Sequence, residues 1–448
     1  MKLPLNIHRR GTLANQLVIA TLGSVGVRVL GMGVTFLVGV QLARYLGPAQ
    51  YGAYGLVMSV VAVLVVVAGL GFAPLATREL AVRIARREWP WFDGYLTWSF
   101  AVVTASSCVA ALALAASLSL FHPAGSSPIP LHPLIVGLVP ALALTGLAAA
   151  ALRGCGVIVG GQTLDALVRP ALFSAALLAS WAMAPQLDAN RALTLHLVAA
   201  GLTLVVALLW LLLSRPKSWS APMKLSVIPW FKSSLPMGLT DLLRAIDGNI
   251  TPILLAAMVT VTDLGVFRVA AASAALLALP YALFSVIATP IVARLHAEGE
   301  TVRLQKAACA MALAMTAATG LLLLLLWCLG PTLITLLFGA AYRGAWSVLM
   351  VLGLAQLLNA AFGIAPTLLN ATGSERFLAL IFATSLAVTL LATLLLTPVL
   401  GILGAAISVV IGVLLRGIPL QIGVVRRLGI QPSILSVLRW KTIWKATE

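Results

Sequence analysis

About a dozen apolar runs, each long enough to cross a bilayer, follow one another along this chain with only short polar gaps between them. A helix needs roughly 20 apolar residues to span about 30 Å of hydrocarbon. Spans are read at roughly 15–42, 53–76, 96–121, 132–152, 170–186 and 193–214, and after a basic gap at roughly 233–258, 264–291, 307–330, 344–370, 377–398 and 401–424. The runs are continuous and rich in Leu, Ala and Val. A membrane barrel would instead show strict alternation in stretches of about ten residues. With 61% hydrophobic and 9% charged residues, a soluble domain of this length would lack the charge to cover its surface. The expected class is all-α, a polytopic membrane protein.

The formal charge of +17 raises the question of nucleic acid. The basic residues argue against it, because they lie in short clusters between spans and so report topology. With the N-terminus inside, the cytoplasmic gaps hold Lys2, Arg9 and Arg10, then Arg78, Arg83, Arg86 and Arg87, then Arg153 and Arg169. The later ones hold Arg215, Lys217, Lys224 and Lys232, then Arg294, Arg303 and Lys306, then Arg376. Arg426, Arg427, Arg439, Lys441 and Lys445 close the chain on the same side. Of the basic residues outside the spans, Arg44, Arg191 and Arg343 alone fall on the other side. One span more or fewer would reverse every later gap, so the count is even and both ends are cytoplasmic.

Trp89, Trp91, Phe92, Tyr95 and Trp98 bracket the start of the third span, and Trp230 and Phe231 the start of the seventh, as interfacial anchors would. From Ile434 the tail sets Trp440 and Trp444 beside Arg439, Lys441 and Lys445, which suits a short helix on an anionic leaflet. After Arg9 and Arg10 the apolar stretch exceeds the h-region of a cleaved signal. Cys108, Cys155, Cys309 and Cys328 read as small apolar packing residues.

The chain also echoes itself. Gly47-Pro48-Ala49-Gln50-Tyr51-Gly52-Ala53-Tyr54 opens the second span, and Val261-Thr262-Asp263-Leu264-Gly265-Val266-Phe267 opens the eighth. Leu152-Arg153-Gly154 closes the fourth as Leu369-Asn370-Ala371-Thr372-Gly373 closes the tenth, again about 215 residues on. An even number of spans per repeat gives two parallel six-helix halves, with a transport site expected between them. The divisions are residues 1–232, 233–424, and a basic tail at 425–448.

Arg28, Arg244, Arg268 and Arg416 fall within spans, with Asp241 and Asp247 in the seventh. An ionised side chain at mid-helix costs about 2.5–3.5 kcal/mol, so six facing lipid would cost roughly 15–20 kcal/mol. They must face one another, the bundle interior or water. Arg268 stands only a few residues into its span, so snorkelling is expected there. Arg28 follows Gly23 and Gly26 and precedes Gly31 and Gly33, a density that permits close approach and bending. It reads as a cation lining a polar cavity, or else as a structural hydrogen-bonding arginine. Steps of three put Asp241, Arg244 and Asp247 on one helical face, extended by Gly248 and Asn249. Arg244 pairs with one acid and leaves the other to bind a proton or sodium ion; a purely structural salt-bridge cluster is the other reading.

Enzyme signals are lacking. Gly154-Cys155-Gly156 with Gly160 has no βαβ unit around it and reads as a turn. His8, His122, His132, His196 and His296 lack metal-ligand spacing. No enzyme activity, cofactor or metal is expected. A membrane glycosyltransferase or ligase would carry larger extramembrane segments for its catalytic acids.

At Ala43-Arg44-Tyr45-Leu46-Gly47-Pro48-Ala49-Gln50-Tyr51-Gly52-Ala53-Tyr54 the chain resembles Wzx-type polysaccharide flippases of the multidrug/oligosaccharidyl-lipid/polysaccharide exporter (MOP) superfamily. The resemblance continues at Gly69-Leu70-Gly71, Thr77-Arg78-Glu79 and Arg244-Ala245-Ile246-Asp247. It returns at Leu337-Phe338-Gly339 with Tyr342 and Gly344-Ala345, and at Leu368-Leu369-Asn370-Ala371-Thr372-Gly373. It implies two six-helix lobes in a MATE-like V around a cavity that opens alternately to either side. It also implies a monomer in the bacterial inner membrane that flips an undecaprenyl-pyrophosphate-linked oligosaccharide toward the periplasm, beside glycosyltransferases and a polysaccharide polymerase. Arg28, Arg244 and Arg416 are the candidates for the pyrophosphate, and Asp241, Asp247 and Asn249 for ion coupling. A cation-coupled multidrug exporter of the same fold is the alternative.

Overall fold

Gly47 decides the first fold-level event. The first two expected spans form one run, α1 (Leu13–Gly69), of 57 residues. Straight, it would measure about 85 Å, far more than a bilayer core. It bends instead at Gly47, whose φ of 71° and ψ of 173° suit only glycine, and Pro48 begins the second arm with φ already set for helix. The computed structural model describes residues 13–121, 132–183, 186–215, 222–371 and 374–433. The tail helix expected from Ile434 lies outside these residues, as do Lys2, Arg9, Arg10 and Lys217.

A left-handed turn at Leu70-Gly71 leads to α2 (Phe72–Arg86), followed by α3 (Trp89–Phe121) and α4 (His132–Gly154). The fifth span starts earlier than the hydropathy reading placed it. It comprises α5 (Ile158–Thr163), a π-helical turn at Leu164–Val168 and α6 (Arg169–Met183). Then come α7 (Ala189–Ser214), α8 (Val227–Met258), α9 (Val261–Leu277), α10 (Leu279–Ala297) and α11 (Thr301–Leu337). The chain continues through α12 (Ala345–Ala361), α13 (Ala365–Ala371), α14 (Glu375–Leu400) and α15 (Ile402–Leu428). The fold is all-α.

Among the described residues nine helices are long and apolar enough to cross a membrane, against about a dozen expected spans. The gap has physical causes. The run counted as Gly23–Gly69 is two arms. α8 is polar through Lys232, Asp241, Arg244 and Asp247. The tenth expected span breaks at Gly363 (φ 67°) between α12 and α13; the eighth also breaks, at Ala278 into α9 and α10, but α10 is itself among the nine. The last two spans part at Gly401 (φ 59°), and α14 absorbs Pro398 near its end.

Three buried cores hold these helices. One joins both halves of the chain, from Val57 and Val61 in α1 to Phe267 and Ala270 in α9 and Val348 in α12. A second unites α2, α3, α4 and α7 with Trp230 of α8. A third lies within α10 to α15. The aromatic residues expected as interfacial anchors serve the second core. Phe92 and Tyr95 are buried, Tyr95 donates to the Phe72 carbonyl at 2.9 Å, and Trp230 meets the Tyr95 ring edge-on. The Trp230 indole N–H reaches Glu79 at 3.2 Å, and Glu79 with Glu88 clamps Arg83. Burial disfavours the Arg83 cation, but those two carboxylates outweigh it and hold its pKa above the ordinary arginine value.

Candidate functional site

The two echoing segments pack against each other. A methyl group at Gly52 would collide with the Val261 carbonyl, and one at Gly265 with the Pro48 carbonyl, so the second arm of α1 and the start of α9 touch backbone to backbone. Thr260 caps α9 by accepting from the Asp263 N–H at 3.1 Å, which fixes where that contact begins. The other recognisable motif closes the same joint. Tyr342 is buried and donates to the Ala43 carbonyl at 2.9 Å, while Arg44 donates to the carbonyls of Leu336 and Leu337 at the end of α11.

Away from this joint, polar residues line two cavities walled by α1, α9 and the helices α4 to α7. One cavity of about 410 Å³ is lined by Arg28, Arg153, Gln162 and Asp165. A second, of about 290 Å³, is lined by Asp165, Arg169, Tyr54, His196 and Arg268. Thr35, Asp165 and Ala272 belong to both, so Asp165 stands at the junction of the two. The π-helical turn puts it there: the extra residue widens that turn, a feature frequent at functional sites.

Each member is held by a neighbouring helix. Ser24 donates to Gln162, tying the first arm of α1 to α5 beside Arg28. Tyr54 and His196 share a hydrogen bond of 2.7 Å, joining α1 to α7. Arg268 does not snorkel. Its Nη1 donates to the Gly55 carbonyl at 2.6 Å and to Ser59 Oγ at 3.1 Å, and its guanidinium lies 5.9 Å from the Tyr51 ring centroid. The reason is Gly55, whose missing side chain leaves the surface on which the guanidinium rests.

The candidates of α8 lie elsewhere. Asp241 and Arg244 line a cavity of about 460 Å³ with Pro74, Pro366 and Phe382, so Arg28 and Arg244 occupy different cavities. Asp247 takes its partner from α15: Arg416 Nη1 donates to its carboxylate at 2.9 Å, with the Arg416 guanidinium 4.9 Å from the Phe382 ring centroid. Arg244, three residues away on the same helix, is not that partner. Asn249 turns its amide back to the Ala245 carbonyl at 2.9 Å.

Arg153, Arg169 and Asp165 escaped the hydropathy reading because they depress the apolar average where they stand. Hydropathy alone therefore starts the fifth span after them and leaves the two arginines as topology markers. A polar set at helical spacing, Gln162, Asp165 and Arg169 between apolar residues, is the signal that would have found them. Among the described residues, no group of three or more His, Cys, Asp or Glu side chains is placed to hold a metal ion.

A family model described as polysaccharide biosynthesis protein matches residues 18–296. No curated protein matches the chain in sequence. Among solved structures, an inward-facing multidrug resistance MATE family transporter of the MOP superfamily superposes with a TM-score of 0.68 at 15% identity, over 91% of this chain and 98% of that one. A MOP superfamily transporter from Pyrococcus furiosus, described as having a binding pocket of reverse polarity, gives 0.67 at 16% identity, over 94% and 99%. An outward-facing MATE transporter of the same superfamily gives 0.61 at 17% identity, over 94% and 99%.

Proposed function

Since the chain belongs to the polysaccharide biosynthesis protein family, with the fold of MOP superfamily transporters, we propose that it flips an undecaprenyl-pyrophosphate-linked oligosaccharide across the bacterial inner membrane. Movement runs from the cytoplasmic to the periplasmic leaflet by alternating access, between lobes at residues 1–232 and 233–424, with both termini cytoplasmic. One observation carries the reading: these three cavities are lined by five arginines, Arg28, Arg153, Arg169, Arg244 and Arg268, against two carboxylates, Asp165 and Asp241. Pyrophosphate concentrates negative charge, and the planar, permanently charged guanidinium matches its oxygens. A wet cationic cavity shields that charge and the sugar hydroxyls from hydrocarbon, while the polyprenyl tail stays in lipid. The MATE-type alternative exports cationic drugs and calls for an acidic or aromatic cavity; Tyr51, Tyr54 and Phe173 supply rings to one cavity, but the excess of arginine over acid opposes a cationic cargo.

Arg28, Arg244 and Arg416 contact the pyrophosphate at successive stages. Asp247 holds Arg416 in an ion pair. Uptake of a proton or sodium ion by Asp247 frees that fork, with Asp241 and Asn249 nearby on α8, and this is the coupling step. Transport into vesicles that ignores both pH and sodium gradients removes the coupling step. For the function itself, Arg28→Ala and Arg244→Ala are expected to cut surface polysaccharide and accumulate lipid-linked precursor in the cytoplasmic leaflet. Normal export without accumulation overturns the roles given to those two arginines, and altered drug susceptibility on deletion with unchanged polysaccharide overturns the function.

A further inference from the structure

α8 packs against both halves of the chain, and it changes sides part-way along. Its first turns belong with the helices before it. Trp230 and Ser234 are buried, Trp230 sits in the core of α2, α3, α4 and α7 and donates to Glu79, and Phe231 meets the Phe72 ring edge-on. The chain leading into α8 is fastened there too. Arg215 pairs with Asp93, the Lys224 N–H donates to the Pro90 carbonyl at 3.0 Å, and a methyl group at Gly94 would collide with the Lys224 carbonyl. Beyond Gly238 the partners come from later in the chain. Asp241 and Arg244 share the 460 Å³ cavity with Pro366, Leu378 and Phe382 of α13 and α14, and Asp247 pairs with Arg416 of α15.

The changeover coincides with two weak points that touch. Pro236 has no N–H for the Lys232 carbonyl, so α8 lacks one rung of its ladder there, and proline is where helices bend most readily. The opposing chain breaks at the same level, with Leu70 and Gly71 both left-handed. A methyl group at Gly71 would collide with the Ser234 carbonyl and the Gly238 nitrogen, and one at Gly238 with the Gly71 nitrogen. Backbones that meet without side chains between them have no interlocking ridges to resist a turn. We propose that the boundary between the moving lobes runs through α8, with a hinge at residues 236–238 that turns on the Leu70-Gly71 break. This rests on the alternating-access reading and refines its division at residue 232: residues 227–238 travel with the first lobe, and Asp241 and Arg244 with the second. The 460 Å³ cavity straddles the hinge, since Pro74 and Met237 line it from one side and Pro366, Leu378 and Phe382 from the other. Bending therefore sets the width of that cavity and the separation of Arg244 from Pro74.

The test puts pairs of spin labels on exposed positions of the full-length protein, free of native cysteines, in lipid nanodiscs. Val82→Cys lies on α2, Ile228→Cys at the start of α8 and Leu380→Cys on α14. Electron–electron distances are read with Arg44 intact and with Arg44→Ala, which frees the joint between α1 and α11. The pairs 82–380 and 228–380 are expected to show two populations, and the pair 82–228 one. A split 82–228 distribution with a single 228–380 distance means that α8 moves whole with the second lobe; it overturns the hinge and leaves alternating access standing. A single 82–380 distance in both proteins means that the lobes do not move, and both readings fall. Pro236 is exposed and lines none of the three cavities, and Pro236→Ala restores the missing rung, so it is expected to remove the second 228–380 population. An unchanged 228–380 distribution in that variant places the bend elsewhere and overturns the hinge; should the variant misfold, the three label pairs decide.

Discussion

At the scale of single residues, the joint between α1 and α9 depends on two absent side chains. Gly265→Ala would push a methyl group into the Pro48 carbonyl, and backbone has no rotamer with which to yield. The expected cost is about 1–3 kcal/mol, seen as a lower unfolding temperature in detergent. Gly26→Ala, where nothing lies within 4 Å, should be neutral or gain about 0.5–1 kcal/mol from helix propensity. Asp247 and Arg416 test a different force. Each single change leaves one charge in a membrane span, at about 2.5–3.5 kcal/mol in hydrocarbon, whereas the double change Asp247→Asn with Arg416→Gln removes both. Thermal unfolding of the four proteins should give a coupling of about 0.5–3 kcal/mol, and strictly additive losses would show that the pair is not formed.

At the scale of elements, the sharpest features are interruptions of helices. Gly47 holds a conformation that a side chain enters only at about 1–3 kcal/mol, so Gly47→Ala should lower thermal stability by that amount, although the position is otherwise uncrowded. The π-helical turn at Leu164–Val168 sets Asp165 where the two cavities meet. Such breaks are poorly legible in a sequence. Gly47-Pro48 is visible, because those residue types have special backbones, but Leu164–Val168 contains no glycine or proline, so no residue type marks its widened turn.

At the scale of the whole molecule, the residues most easily recognised in the sequence are those of the joint, not of the cavities. Arg44, Gly52, Gly265 and Tyr342 tie the two halves of the chain together at one end. Under alternating access that end must part. Arg44 supplies a cation and donors to the last carbonyls of α11, where a helix end favours positive charge. Arg44→Ala should therefore ease opening. With spin labels on Gln186→Cys and Arg343→Cys in a background free of native cysteines, electron–electron distances should gain a longer population; an unchanged distribution argues against a latch.

The sequence by itself determined the all-α membrane class, the placement of most spans and the presence of charges that must avoid lipid, because hydrocarbon imposes its length and polarity limits on each segment separately. Arg28 was legible for that reason, standing inside an apolar run and lining a cavity, whereas Asp241 and Arg244 line another cavity from a helix that they themselves make polar. Tertiary structure alone decided which charges meet. Asp247 pairs with Arg416 across α8 and α15, and Arg268 folds onto Gly55 rather than reaching for the interface. Asp165, Arg153 and Arg169 belong to the cavities rather than to a loop for the same reason. A desolvated charge takes the partner that helix packing brings within hydrogen-bond reach, and that partner is set by crossings between segments more than a hundred residues apart in the chain, where no local pattern records it.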